Sequence, residues 1–285
     1  MSANISKRIE SSYSKFSKGQ RKIASFILNE YDKAAYMTAA KLGRHVGVSE
    51  STVVRFASML GYSSYSDMQA SIEELVRIKS TPNQRIEITK QQLSGKDVIE
   101  NVMEADIHKI RYTLEKLDRK AFSDAVSSIL NAKCVYVMGA RSAEPVAKIL
   151  YYNLSLIFDN IRFVVPTNTA EVFEQMFSIS EGDVLIAFSF PRYSSRMINA
   201  VKFARSKGAT VIGFTDSNTS PIAEYTDYLL AARSDMASYM DSLVAPISII
   251  NAIIIEITRR REREITKRFE TLEEIWEQYN VYAKR

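Results

Sequence analysis

The chain has 285 residues, 46 per cent of them hydrophobic, with one cysteine and two histidines. That suits two domains with real cores, rules out an internal disulfide or a cysteine-based zinc site, and argues against a catalytic triad or a His-rich metal centre. The formal charge of +5 is unevenly placed: residues 1–80 hold 12 Lys and Arg against 7 Asp and Glu, whereas residues 81–285 balance at 26 against 26, so electrostatic attraction to an anion belongs to the N-terminal segment.

The first residues, Met-Ser-Ala-Asn-Ile-Ser-Lys-Arg, are polar and carry no apolar signal core. Short amphipathic patterns run from Ile5 to Phe16 and from Lys18 to Tyr31, the latter with Ile23, Phe26, Ile27 and Tyr31 on one face. They brace the stretch from Met37 to Gly61. Leu42 and Val46 sit four apart on one helix, Val48 follows a turn, and Val53, Phe56 and Leu60 recur at three- and four-residue spacing on a second, the pattern of a helix-turn-helix. Gly47 supplies the permissive corner, Gly43 allows close approach of the helices, and Ser49 caps the second one. With the apolar positions turned inward, Arg44, Ser49, Ser51, Thr52 and Arg55 are the candidate DNA contacts: arginine addresses guanine or phosphate, and the hydroxyls reach bases or backbone. A helical hairpin of another kind, with Arg55 merely solvated, is the competing reading, and the local charge excess weighs against it.

A further helix is expected from about Asp67 to Ile78, with Ser66 as its cap and Met68, Ile72 and Leu75 inward. Residues 80–96, with Thr81-Pro82-Asn83 and Ser94-Gly95, are the least periodic and serve as the domain boundary. Helical patterns return over Asp97–Leu117 and Arg119–Leu130. Short apolar runs then alternate with helical stretches: Cys134–Met138, Arg162–Val165, Asp183–Phe188, Thr210–Phe214 and Tyr228–Ala231. Such alternation predicts a parallel sheet covered by helices on both faces. Beyond Met240 a long helical pattern runs nearly to the end. Its apolar run Leu243–Ile257 is interrupted by Pro246, Ser248 and Asn251 and is too short and polar to span a bilayer. The cluster Arg259-Arg-Arg-Glu-Arg263 reads as a helix face paired with Glu256, Glu262 and Glu264 rather than as a second nucleic-acid site.

In open parallel sheets ligands bind beyond the carboxyl ends of strands, at helix N-termini. Two such ends are informative, Gly139-Ala-Arg141-Ser142 and Ser189-Phe-Pro-Arg192-Tyr-Ser194-Ser195. Arg141 and Arg192 offer bidentate contacts, and Ser142, Ser189, Ser194 and Ser195 offer hydroxyls, so these six are the candidate effector-binding residues. Ser142 is also expected to cap the helix that follows. Ordinary caps and surface charges are the alternative, against which the pairing of the two ends in one sheet counts.

The N-terminal segment, with Thr52-Val-Val-Arg-Phe-Ala57 and Leu60-Gly-Tyr62, resembles the helix-turn-helix domain of the RpiR family of bacterial transcription regulators. The alternating half is similar to the sugar isomerase (SIS) domain that such regulators carry, through Gly139-Ala-Arg-Ser142, Asp183-Val-Leu-Ile-Ala-Phe-Ser189, Gly208-Ala-Thr-Val-Ile-Gly-Phe-Thr215-Asp216 and Ser220-Pro-Ile-Ala223 with Asp227. The resemblance implies an all-α DNA-binding domain followed by a three-layer α/β domain that senses a phosphorylated sugar or related metabolite and helps the protein dimerise. The chain departs from the family's phosphate loop, Ser-x-Ser-Gly-x-Thr: Ser189 matches the first serine and Ser194 stands at the threonine, but Pro191 and Arg192 replace the second serine and the glycine. A carboxylated metabolite, such as a sugar acid, would suit Arg192 comparably well.

The expected organisation is a DNA-binding domain over 1–80, a connecting segment over 81–118, an SIS-like effector domain over 119–261 and a terminal helix over 262–285. The expected protein is a cytoplasmic, homodimeric or homotetrameric regulator of double-stranded operator DNA, without cofactor, metal or membrane attachment, controlled by a small anionic metabolite. The alternative is a sugar-phosphate isomerase or lyase with Glu144, Glu171, Glu174 or Glu224 as general base.

Overall fold

A computed structural model describes residues 5–283 apart from 94, 96, 166, 236 and 237; the polar residues 1–4 and Ser94 of the sequence reading therefore lie outside the described residues. The chain divides into two compact units. One comprises residues 1–101 together with 235–241, the other residues 102–234 with 242–285.

The first unit is helical: α1 (Ile5–Ser12), α2 (Lys18–Asn29), α3 (Tyr31–Ala34), α4 (Ala39–Val46), α5 (Glu50–Met59), α6 (Tyr65–Lys79) and α7 (Pro82–Leu93). Their apolar faces converge on a core that includes Ile23, Ile27, Leu42, Val53, Phe56, Met68 and Ile72, all buried. Ser17 and Gln20 form a reciprocal capping box that starts α2, which satisfies two backbone donors at once. The cap of α6 is Ser64, which accepts from the Asp67 amide at 3.1 Å, and not the expected Ser66; Tyr65 then occupies the first turn and donates its hydroxyl to the Met37 carbonyl at 2.6 Å. The aperiodic stretch 80–96 is largely the helix α7. It carries a buried Arg85 whose guanidinium meets Asp241 at 2.9 Å, so a long-range ion pair holds a helix that amphipathic spacing does not reveal.

A long helix, α8 (Val98–Lys116), leads out of this unit. The second unit continues with α9 (Arg119–Asn131), β1 (Val135–Gly139), α10 (Ala143–Ile157), β2 (Ile161–Phe163), α11 (Thr169–Gln175), β3 (Val184–Phe188), α12 (Ser195–Ser206), β4 (Thr210–Thr215), β5 (Tyr228–Ala231), α13 (Val244–Arg260) and α14 (Glu262–Gln278). The five strands are all parallel, in the order β2-β1-β3-β4-β5, at the positions the apolar runs predict. Alternate residues of each strand face opposite ways. Val137, Ile186, Phe188, Ile212 and Phe214 join a core with α9, α10 and α13; Tyr136, Met138, Leu185, Ala187 and Val211 join one with α11 and α12.

The arginine cluster at the end of α13 is built into this unit. Arg259 and Arg260 both bond Glu256, whose carboxyl they hold at about 2, far below its ordinary value. Arg260 also donates to Ser123 and Ser127 of α9 at 2.9 and 2.8 Å, and Arg261 to the Leu130 carbonyl. Among the described residues no helix is long and apolar enough to cross a membrane.

Candidate functional site

The helix-turn-helix is α4 and α5. Thr38 caps α4 and Ser49 caps α5, each hydroxyl accepting an amide of the first turn, and between them Gly47 takes a left-handed φ of 73°. The Val48 amide donates to Gly43 at 2.9 Å. A Cβ on Gly43 would stand 2.9 Å from the Val48 carbonyl oxygen and 3.3 Å from the Glu50 nitrogen; hydrogen there is what lets the corner close.

Arg44, Ser49, Ser51 and Arg55 are exposed and Thr52 half-buried, while Val53, Phe56 and Ala57 face the core. The five residues thus lie about the turn and the first half of α5. Their side chains divide by task. The Ser49 hydroxyl is occupied at the cap, with Ser51 and Thr52 hydroxyls 3.0 and 2.8 Å from it, which makes it an organiser of the turn. Arg55 donates its Nε to the Ser51 carbonyl at 3.2 Å, and this bond aims the guanidinium along the N-terminal half of the helix.

At the sheet, the strand order reverses between β1 and β3, and the crevice at such a reversal is where doubly wound folds hold ligands. Gly139, Phe188 and Phe214 are in register across β1, β3 and β4, and the Phe188 and Phe214 rings stack 4.3 Å apart. The segments that follow therefore leave the sheet side by side. A Cβ on Gly139 would fall 2.5 Å from the Ala143 carbonyl oxygen, so the β1–α10 turn is tight.

Five of the six expected effector residues fall on the two loops at this reversal, and the sixth, Ser195, opens α12. Both arginines stand in the left-handed region, Arg141 at φ 59° and Arg192 at φ 62°, a conformation that costs a side-chain-bearing residue roughly 1–2 kcal/mol. Arg192 thus keeps the backbone that glycine would adopt at that point of the loop. Ser189 is buried, its amide bonds the Phe214 carbonyl at 2.9 Å, and its hydroxyl has no hydrogen-bond partner among the described residues, an expense that a ligand would relieve. Ser142 and Ser194 start α10 and α12 without a side-chain cap bond, contrary to the capping expected of Ser142, and their hydroxyls are not consumed by those helices.

Sequence reasoning missed Tyr193, which donates to Asp216 at 2.8 Å and ties the β3 loop to the end of β4, and Ser220, whose buried hydroxyl is also unpartnered among the described residues. Repetition of hydroxyls after a third strand was the available signal. Of the candidate general bases, Glu144 pairs with Lys148 of its own helix at 2.7 Å, and Glu171 accepts from the Thr167 hydroxyl.

Comparison with known proteins matches the same two parts in the same order. The rpiR-family helix-turn-helix domain model covers residues 3–77, and the SIS domain model covers residues 128–256. The chain belongs to the RpiR family of DNA-binding transcription regulators. An HTH-type transcriptional regulator of Haemophilus influenzae is 26% identical to this RpiR-family chain over 233 residues, 80% of each protein; one from Thermotoga maritima is 24% identical over 272 residues, 92% of this chain and 94% of the other. Among solved structures, the Vibrio vulnificus NanR protein complexed with ManNAc-6P is similar over 99% of this chain and all of its own, with a TM-score of 0.61 and 20% identity. The sugar isomerase domain of an RpiR transcription factor from Sphaerobacter thermophilus aligns with 61% of this chain and 97% of its own length, with a TM-score of 0.58 and 24% identity.

Proposed function

We propose that this regulator is switched by a small anionic metabolite, a phosphorylated sugar or sugar acid, bound where β1 and β3 diverge. The observation that carries the reading is the buried hydroxyl of Ser189, unpartnered among the described residues, on one of two neighbouring loops that each carry an arginine in the left-handed conformation. Ser189 and Ser142 donate to the anion, Arg141 and Arg192 neutralise it, and Ser194 and Ser195 contribute from the start of α12. The phosphosugar held by NanR supports the ligand class.

The protein is read as non-catalytic and cytoplasmic. Glu144 and Glu171 are engaged by neighbours on the protein, and the relatives from Haemophilus influenzae and Thermotoga maritima are named as HTH-type transcriptional regulators. A homodimer would place two α5 helices in successive major grooves about 34 Å apart, with Arg44, Ser49, Ser51, Thr52 and Arg55 at each half-site, and a coupling of roughly 1–3 kcal/mol between effector and DNA would suffice for control.

The test is a thermal-shift series with hexose 6-phosphates and hexuronic acids. Saturating ligand at about 100 times its Kd stabilises by roughly 2.7 kcal/mol, and Ser189→Ala combined with Arg192→Ala should remove that shift while leaving the unliganded protein folded. A shift that survives the double substitution places the ligand elsewhere.

A further inference from the structure

The expected DNA contacts all lie on α4, α5 and the turn between them, yet a second group of cations stands beside that turn on α2. Gly19, in the first turn of α2, is close to the corner: a Cβ there would lie 3.3 Å from Val48 Cγ1 and 3.8 Å from Thr52 Cγ2. One turn further on, the Lys22 ammonium nitrogen is 3.8 Å from where a Cβ would stand on Gly47. Lys18, Arg21 and Lys22, together with His45 at the end of α4, line an open groove of about 810 Å³ floored by Phe16 and Phe26.

The charge of this groove is poorly compensated. Neither α2 nor α4 has an acidic residue in its first turn; Glu30, the groove's acidic member, is paired with Lys33 at 2.5 Å. Arg21 rests over the Tyr13 ring, 5.8 Å from its centroid. Lys18 and Lys22 are exposed, and lysine presents a mobile point charge without the planar fork that reads a base edge. Cations of this kind beside an inserted recognition helix meet phosphates, which fix register without reading sequence.

We infer that Lys18 and Lys22 of α2 grip the phosphodiester backbone alongside the groove that α5 enters, a sequence-blind contact separate from the recognition helix. The inference rests on the DNA-binding reading of α4 and α5. Gly19 is part of the device, because the absence of its side chain lets α2 lie against Val48 and Thr52, with the Lys22 ammonium beside the turn that precedes α5 and Lys18 lining the same groove.

The experiment measures binding of the full-length protein to a random-sequence duplex by fluorescence anisotropy across a range of potassium chloride. Each phosphate contact contributes about 0.9 to the slope of log K against log salt. The Lys18→Ala/Lys22→Ala variant should therefore show a slope shallower by about 2, and Lys18→Arg/Lys22→Arg should retain the wild-type slope. Arg263→Ala/Lys267→Ala removes two exposed charges from α14 and should leave the slope as it was; an equal fall there would mean that net charge alone is being read, and would overturn the inference. An unchanged slope in Lys18→Ala/Lys22→Ala would overturn it as well, with duplex binding still present. Wild-type protein without salt-dependent binding would sink the DNA-binding reading itself and this inference with it.

Discussion

Arg192 holds a backbone conformation that suits glycine, and the two effects of replacing it have opposite signs. Arg192→Gly relieves roughly 1–2 kcal/mol of left-handed strain but adds roughly 0.4–1 kcal/mol of freedom to the unfolded chain. The expected balance for the unliganded protein is a gain of about 0.5–1 kcal/mol, read as a higher urea midpoint. Anion-dependent stabilisation should fall in the same variant, because the guanidinium is gone. A residue that lowers stability when alone and raises it when liganded is what a site tuned for binding looks like. A lowered midpoint together with undiminished ligand stabilisation would show that Arg192 serves the loop and not the ligand.

The turn between α4 and α5 depends on Gly43 in a different way, through space. A methyl group at that position meets the Val48 carbonyl and the Glu50 amide, backbone atoms that cannot rotate aside. Alanine gains roughly 1 kcal/mol in helix propensity, whereas forced overpacking costs typically about 1–3 kcal/mol, so Gly43→Ala should lose up to about 2 kcal/mol in chemical denaturation. The sharper readout is duplex affinity, which should fall because α5 is displaced from its partner; intact affinity would mean that the corner tolerates opening.

This element was legible beforehand because its spacing, glycines and cap are all local, from Leu42 to Leu60. The three central strands β1, β3 and β4 were legible for a related reason, each being a short apolar run buried almost throughout; the edge strands β2 and β5 are only partly buried. Other features left little trace. α7 does open on a local signal, the reciprocal bonds between Thr81 and Gln84, but it is also tied by Arg85 to Asp241, 156 positions away, and no periodicity announces such a pair. The left-handed backbone at Arg141 and Arg192 is equally hidden, apart from the hint that Arg192 stands where related loops carry glycine. The N-terminal charge excess was plain, but its concentration on α2 beside Gly47 required the fold.

Across the whole molecule the chain passes between the two units three times, at residues 101/102, 234/235 and 241/242. The short excursion brings Asp241 to the buried guanidinium of Arg85, and Asp235 to Arg77 at 3.5 Å. Breaking a buried ion pair from one side costs about 3–5 kcal/mol, so Asp241→Ala should destabilise the N-terminal helices although the substitution lies far along the sequence. Hydrogen exchange of α7 amides reports this directly: faster exchange there is expected, and unchanged protection would show the pair to be dispensable.

The same excursion bears on how this protein can be dissected. An N-terminal piece ending at residue 101 has the whole helix-turn-helix but leaves Arg85 without its carboxylate, and a C-terminal piece starting at residue 102 carries seven residues that belong to the other half. Neither cut yields a faithful module. A portable DNA-binding fragment would need the 235–241 peptide grafted behind α7, or Arg85 and its acidic counterpart replaced together by apolar side chains.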